Sequence, residues 1–122
     1  MGKFVIKQAK SGPMFNLKAG NGEIIGTSEV YSSLSACKNG IESVAKNAVK
    51  AKIEDQTVEG FEKVTNPKFE IYKDKKGEFR FRLKAANGEP ILVSEGYVSK
   101  AGCQNGIESV KKNAGSEVVE EL

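Results

Sequence analysis

One segment of this chain occurs twice. The hexapeptide Asn-Gly-Ile-Glu-Ser-Val occupies residues 39–44 and, unchanged, residues 105–110. At an offset of 66, 21 of the 34 residues in 14–47 are identical to their counterparts in the second copy. A unit of roughly 55 residues is marginal alone because it buries too little of its surface. We therefore expect the copies to pack together. The predicted divisions of a single domain, 1–122, are repeat one (3–56), a linker (57–67) and repeat two (68–122).

Each repeat opens with two segments in which apolar residues alternate, the pattern of half-buried strands. Facing residues of an antiparallel pair point to the same side of the sheet, so keeping the apolar set together fixes the register. The predicted pairs are Phe4–Leu17 and Ile6–Phe15 in repeat one, and Phe69–Leu83 and Ile71–Phe81 in repeat two.

An Asn-Gly pair follows in each repeat, at 21–22 and 87–88, and indicates a second hairpin. A two-residue turn and a three-residue loop with a left-handed glycine are both compatible with it. The longer loop is favoured because it pairs Leu17 with Ile25, and Leu83 with Ile91, on the apolar face. Proline cannot donate to a ladder, so Pro90 predicts an edge strand or the first residue of a strand.

An amphipathic helix is predicted next in each repeat. Ser33 and Ser99 are typical N-caps. Apolar residues then recur with helical spacing, which gives one buried stripe per helix. The stripes are Cys37, Ile41, Val44 and Ala48 in repeat one, and Cys103, Ile107, Val110 and Ala114 in repeat two.

The repeated hexapeptide lies on these helices. Gly40 and Gly106 are costly inside a helix, by about 1 kcal/mol relative to alanine, and predict a close approach to a neighbouring element. The i, i+4 spacing predicts surface ion pairs for Glu42–Lys46 and Glu108–Lys112. The sequence provides no structural explanation for Asn39 and Asn105.

A short strand is expected to end each repeat. At the offset of 66, Ile53-Glu54-Asp55 aligns with Val119-Glu120-Glu121. The linker has no second copy, and its apolar residues predict that it lies on the protein surface.

The residue types exclude most catalytic chemistry. The chain has no histidine and only two cysteines, Cys37 and Cys103, both on the apolar stripes. Ser-His and Cys-His pairs and the common zinc sites are therefore impossible. We expect no enzymatic activity, no catalytic residues, no metal and no cofactor. We expect both thiols to be inert core residues, and the alternative is a reactive thiol activated near a helix N-terminus.

Charge and hydropathy limit the cellular locations and the classes of partner that we expect for this protein. The net charge of +3, from 19 basic and 16 acidic residues, is too balanced to indicate a nucleic acid or a membrane by itself. The sequence shows no secretory signal and no span of about 20 apolar residues. We expect a cytoplasmic monomer with an internal pseudo-dimer and no membrane partner.

One group of residues has the composition of a binding surface. Arg80, Arg82 and Lys84 alternate on the face of their strand opposite Phe81, and the predicted register places Tyr72 beside them. Basic residues with an aromatic on an exposed sheet can bind single-stranded nucleic acid or another anionic ligand. The register also places Glu70 opposite Arg82, which explains that arginine as part of a solvated face instead.

Several segments of the chain resemble the YegP-like proteins, a bacterial family of unknown function. The motifs are Lys-Phe-Glu-Ile-Tyr-Lys-Asp at 68–74, Phe-Arg-Phe-Arg-Leu-Lys-Ala-Ala-Asn-Gly-Glu at 79–89, Ser-Glu-Gly-Tyr at 94–97 and Asn-Gly-Ile-Glu-Ser-Val-Lys-Lys-Asn at 105–113. The first copy carries similar motifs. The resemblance implies tandem β-β-β-α-β units that share one sheet and exchange their terminal strands. It implies no catalytic or ligand residues.

These observations predict an α+β domain of two β-β-β-α-β repeats. The repeats share one antiparallel sheet, with both helices on one face and the terminal strands exchanged. The expected function is that of a small non-enzymatic interaction module with a protein partner. The alternative is weak binding of nucleic acid or another anion through Tyr72, Arg80, Arg82 and Lys84.

Overall fold

The structure is a computed structural model that describes residues 2–121, so Met1 and Leu122 of the predicted domain lie outside the described residues. Eight strands and two helices follow one another along this part of the chain. They are β1 (Lys3–Ala9), β2 (Gly12–Lys18), β3 (Ile24–Thr27), α1 (Leu34–Ala48), β4 (Lys52–Asp55), β5 (Lys68–Lys73), β6 (Phe79–Lys84), β7 (Pro90–Val93), α2 (Lys100–Asn113) and β8 (Glu117–Glu121). No helix among the described residues is both long and apolar enough to cross a membrane.

All eight strands form one sheet in the order β4-β5-β6-β7-β3-β2-β1-β8. The corresponding strands β3 and β7 meet near its centre, where their register consists of one pair, Thr27–Val93. At the two edges, β8 lies against β1 and β4 lies against β5. The short strand after each helix therefore pairs with the first strand of the other repeat.

The prediction of an entirely antiparallel sheet is wrong, because both edge pairs are parallel. Parallel neighbours need a connection long enough to return the chain to the end at which the first strand began. Residues 56–67 provide that return between β4 and β5. The alternation of apolar residues contains no information about this direction.

The predicted register of the first hairpin in each repeat is confirmed. The structure pairs Phe4 with Leu17 and Ile6 with Phe15, and the equivalent residues of repeat two pair in the same way. The three-residue loop of the second hairpin is also confirmed. Gly22 has a φ of 87° and Gly88 has a φ of 86°, the left-handed conformation that this loop requires.

The predicted pairing beyond that loop is wrong by one residue. Leu17 lies opposite Gly26 and Leu83 lies opposite Leu92, because a bulge interrupts the register in both hairpins. A bulge inserts an extra residue on one strand. Ile25 is that extra residue in repeat one and stays buried, so the bulge retains its apolar contacts. Pro90 begins β7, an interior strand, as the second of its two predicted placements required.

The alignment of the terminal strands also shifts by one residue. Ile53 lies opposite Phe69, whereas Val118 lies opposite Phe4, so Val118 and not Val119 is the counterpart of Ile53. The cause is the length of the helices, since α1 has 15 residues and α2 has 14.

Both helices contribute to one hydrophobic core. Their predicted apolar stripes are buried in a single cluster with the inward residues of the first two strands of each repeat. Ser33 and Ser99 cap the helices as predicted, each accepting a backbone N–H three residues later at 3.0 Å. The opposite surface of the sheet, which carries Asn16, Thr27, Arg82 and Val93, is called the open face below.

The helical glycines are packed against tyrosines. A Cβ at Gly40 would collide with the hydroxyl group of Tyr31 and lie 2.6 Å from its Cζ atom, and Gly106 meets Tyr97 in the same way. Tyr31 stacks on Phe15 with the ring centroids 6.2 Å apart. The predicted close approach therefore exists, and its partner is an aromatic side chain that connects the helix to the sheet.

Where β3 and β7 meet, the two repeats carry side chains of different size at equivalent positions. A Cβ at Gly26 would lie 2.6 Å from Cγ of Leu92, the residue that replaces this glycine in repeat two. Leu92 is fully buried. The small residue of one repeat thus makes room for the large residue of the other.

We predict that Gly26→Ala lowers the free energy of unfolding by about 1–3 kcal/mol through overpacking, and that Leu92→Ala lowers it by about 2–5 kcal/mol through a cavity. The double variant should lose less than the sum, because the new methyl group occupies space that Leu92 vacates. Urea unfolding of wild type, the two single variants and the double variant measures these free energies. Gly115→Ala is the control, since nothing lies within 4 Å of its added Cβ. A double variant that loses the full sum of the two single losses would contradict this packing.

Candidate functional site

The four residues of the predicted anionic-ligand surface do lie together on the open face. The Arg82 guanidinium lies over the Tyr72 ring, 4.4 Å from its centroid. Each cation, however, has a carboxylate partner. Arg80 Nε is 2.8 Å from Asp74, Arg82 Nε is 2.6 Å from Glu70, and Lys84 Nζ is 3.4 Å from Glu70.

A buried charged network lies beside these residues and was not predicted. Glu54 is 2% exposed and accepts hydrogen bonds from Lys68 Nζ at 2.8 Å, Gln56 Nε2 at 2.6 Å and the Val64 amide at 2.9 Å. The Val64 contact holds the linker against the protein, as the sequence predicted for this segment. Glu70, expected on a solvated face, is only 3% exposed.

The network changes the acidity of Glu54. Burial alone would raise the pKa of this carboxyl, but hydrogen bonds from Lys68, Gln56 and the Val64 amide lower it from 4.5 to about 2. A lowered folded-state pKa stabilises the fold above the unfolded pKa. That stability is lost as the pH falls from about 4.5 towards 2.

We predict that Glu54→Gln destabilises the protein at neutral pH and that its deficit shrinks as the pH falls. Wild type should lose the charged-acceptor contribution over the same range, so the two unfolding free energies should converge near pH 2. Denaturant unfolding between pH 7 and pH 2 measures the difference, with the exposed Glu59→Gln as the control. A deficit that is constant with pH would contradict the assigned role of the charge.

Two equivalent clefts lie where each helix meets the hairpin of the other repeat. The α1 cleft, of about 610 Å³, is lined by Asn39, Glu42, Ser43, Lys46, Asn47, Lys50, Pro67, Ala85, Ala86 and Asn87. The α2 cleft, of about 560 Å³, is lined by Ala19, Gly20, Asn21, Ser109, Lys112 and Asn113. Both repeats contribute to each cleft.

Asparagine side chains line both clefts. Asn87 Oδ1 accepts the Glu89 amide at 3.0 Å, so its NH₂ group remains to donate into the α1 cleft, and Asn21 is held in the same way in the α2 cleft. Asn47 Nδ2 donates to the Ser43 carbonyl at 2.8 Å, and this contact is repeated between Asn113 and Ser109.

The ion pairs predicted for Glu42–Lys46 and Glu108–Lys112 do not form. Within residues 2–121, Lys46 and Lys112 make no salt bridge. The i, i+4 spacing permits such a pair, but exposed pairs gain little energy and pay side-chain entropy. Each cleft therefore has an ammonium group without a carboxylate partner in the described chain.

The repeats agree at these clefts, whereas some positions on the open face differ between them. The positions of Asn21, Ser43, Lys46 and Asn47 hold the same residue in both copies. On the open face, Arg82 of repeat two is replaced by Asn16 of repeat one. Some residues of the hexapeptide therefore belong to the core, and others line the cleft. Asn39, which the sequence left unexplained, lines the α1 cleft, whereas Asn105 is exposed and is not among the residues lining the α2 cleft.

The two cysteines are free and fully buried in the core. Burial raises the pKa of the Cys37 thiol, and burial also raises the pKa of Cys103 to about 11. The thiolate is the nucleophilic form, so both groups are poorly activated at neutral pH. The described residues contain no cluster of three or more side chains suited to a metal ion.

Comparison with known proteins assigns the family. A model described as a domain of unknown function (DUF1508) matches residues 9–55 and 74–121. A UPF0339 protein from Mannheimia succiniciproducens is 44% identical over 123 residues, covering 100% of this chain and 96% of the relative. The solution structure of yegP from E. coli, a protein of unknown function, has a TM-score of 0.80 at 33% identity and covers 98% of this chain and 92% of that chain. The chain belongs to the YegP-like family. The resemblance inferred from the motifs is confirmed, and the family has no assigned function.

A shorter relative in this family has about the length of one repeat. A UPF0339 protein from Treponema denticola is 67% identical over 55 residues, which cover 45% of this chain but 95% of the relative. The two separate matches of the family model to this chain agree with an internal duplication.

Proposed function

We propose that this YegP-like protein is a non-enzymatic interaction module whose twin clefts bind acidic groups of a protein partner. The observation that carries the proposal is that polar residues retained in both repeats lie together in the clefts. Positions that the core does not require, including Lys46 and Lys112, keep the same residue in both repeats and line clefts of the same construction.

The charges that line the clefts favour a carboxylate ligand, because Lys46 and Lys50 outnumber Glu42 in the α1 cleft and Lys112 lines the α2 cleft with no carboxylate among the described residues that line it. Lys46 and Lys112 are exposed ammonium groups, and Asn87 and Asn21 present carboxamide NH₂ groups beside them. Charge-assisted hydrogen bonds to an anion are roughly twice as strong as neutral ones. A partner with two acidic segments would gain avidity by occupying both clefts of one molecule.

The same proposal includes the assembly of the clefts. We infer that the chain is a monomeric pseudo-dimer in which repeat one (3–56) and repeat two (68–122) exchange their terminal strands across the linker (57–67). The pairing of β4 with β5 and of β8 with β1 supports this arrangement. Two free, buried cysteines agree with a reducing compartment such as the cytoplasm.

Charge reversal in the clefts tests the binding function. A hexaglutamate peptide titrated into the labelled protein should shift the NMR signals of the Asn39 and Asn87 side chains in one cleft and of Asn21 in the other. Lys46→Glu with Lys112→Glu should weaken binding about tenfold or more, because a cation that contacts the anion becomes an anion.

The control has the same change of net charge outside the clefts. Lys10→Glu with Lys75→Glu alters two exposed lysines on other loops and should leave most of the affinity intact. If both double variants lose the same peptide affinity, the effect comes from the net charge of the protein and not from the clefts. The absence of peptide-induced changes in the NMR signals at millimolar peptide concentration would contradict the proposal.

The second candidate function is weak binding of nucleic acid through Tyr72, Arg80, Arg82 and Lys84. The contact between Arg82 and Tyr72 favours it, while the carboxylate partners of the cations oppose it. Electrostatic binding must weaken as salt increases. We expect a labelled single strand to show no saturable binding even at low ionic strength. Saturable, salt-sensitive binding that Arg82→Gln removes would instead support the second candidate.

A further inference from the structure

A groove crosses the open face where β3 and β7 meet. It has a volume of about 530 Å³ and is separate from the twin clefts. Ile24 and Pro90 line it at equivalent positions of the two repeats, and the paired residues Thr27 and Val93 also line it. Ile24 is 41% exposed, which is high for a large aliphatic side chain on a sheet. The groove therefore offers an apolar floor to solvent.

Two glutamates stand at equivalent places along this groove. Glu29 and Glu95 line it, both are exposed, and both repeats retain glutamate at this position. Neither makes a salt bridge to any residue in the described part of the chain. Among the described residues that line the groove, Arg80 is the cation, and it already donates to Asp74 at 2.8 Å and to the Ser94 carbonyl at 3.0 Å.

The strand register sets the spacing of the glutamates. Thr27 and Val93 are paired and their strands are antiparallel. Glu29 and Glu95 each lie two residues beyond this pair, in opposite directions and just past the ends of β3 and β7, where the Ser28 and Ser94 amides still donate to the Phe15 and Phe81 carbonyls of β2 and β6. Four residues of extended chain span roughly 13 Å, which approximates the separation of the two Cα atoms along the strands.

An extended peptide has a matching geometry. Side chains at i, i+2 and i+4 point to the same side of an extended segment, and i and i+4 are also separated by roughly 13 Å. Cations at i and i+4 would meet Glu29 and Glu95 while an apolar side chain at i+2 covers Thr27 and Val93. A segment with adjacent cations, or with acidic ends, does not fit.

We propose that this groove binds an extended peptide segment of a partner protein that carries two basic side chains four positions apart with an apolar residue midway between them. The site lies across the junction of the two repeats, so it exists only when both are present. It uses different residues and the opposite ligand charge from the twin clefts, so it is independent of the function proposed for them.

The peptide Lys-Ser-Leu-Ser-Lys, blocked at both ends, is the probe. Titration into the labelled full chain should shift the backbone signals of Thr27 and Val93. Glu29→Gln with Glu95→Gln should weaken binding at least about tenfold, and each single variant should lose an intermediate amount. Glu23→Gln with Glu89→Gln, a pair of exposed and repeated glutamates outside the groove, is the matched control and should bind like wild type.

Peptide controls separate specificity from charge attraction. Lys-Leu-Lys-Ser-Ser keeps the composition but brings the cations closer and should bind much more weakly, as should Glu-Ser-Leu-Ser-Glu. Equal affinity for both lysine peptides, or equal losses in the two glutamine double variants, would overturn the proposal. So would the absence of binding at millimolar probe. Self-association of the free protein through these residues, seen by sedimentation, would assign the groove to a second copy and also overturn it.

Discussion

The pairing of each short terminal strand with the first strand of the other repeat is the contact on which this structure depends. The central junction between β3 and β7 has a register of only one residue pair, whereas β1 and β8 share five pairs and β4 and β5 share four. Within the described chain, three ion pairs add to these edges across the repeats: the buried pair of Lys68 with Glu54, 2.8 Å apart, and two more exposed pairs. Lys38 of α1 lies 2.9 Å from Glu120 of β8, and Lys100 of α2 lies 2.9 Å from Asp55 of β4. Exposed ion pairs contribute little stability, so the backbone ladders and the apolar burial hold the halves together.

The proposed binding sites follow from this arrangement. Because each helix crosses the sheet towards the other repeat, its last turns meet the hairpin of that repeat, and a cleft forms twice. The groove on the open face has the same origin, since it lies at the junction of β3 and β7. The two kinds of site differ in charge, with lysine and amide donors in the clefts and glutamates along the groove.

Much of the core could be predicted from the sequence because the relevant rules are local. Alternation of apolar residues was sufficient to place Phe4 opposite Leu17, and helical spacing was sufficient to assign Cys37 and Val44 to the core. The Asn-Gly signal predicted the loop but not the bulge that follows it. The bulge lies directly beside the loop in both repeats, between Leu17 and Lys18 and between Leu83 and Lys84, so apolar alternation continued across it gives the wrong partner.

The features that sequence reasoning missed depend on distant contacts. Glu54 is buried because the linker folds back over it and donates the Val64 amide, which a pattern of neighbouring residues does not show. The clefts combine segments that are far apart in the chain, so Lys46 appeared to be a partner of Glu42. Part of the signal was present in the duplication itself, because Asn21 and Lys46 are exposed and still keep the same residue in both copies.

The isolated second repeat, residues 68–122, tests the exchange of terminal strands most directly. Without β1, its β8 has no partner in the same chain, and without β4 its β5 has an open edge. We expect sedimentation velocity combined with circular dichroism to show an unfolded monomer at low concentration, and a folded species only as a dimer. A folded, monomeric fragment would contradict the requirement of each repeat for the other.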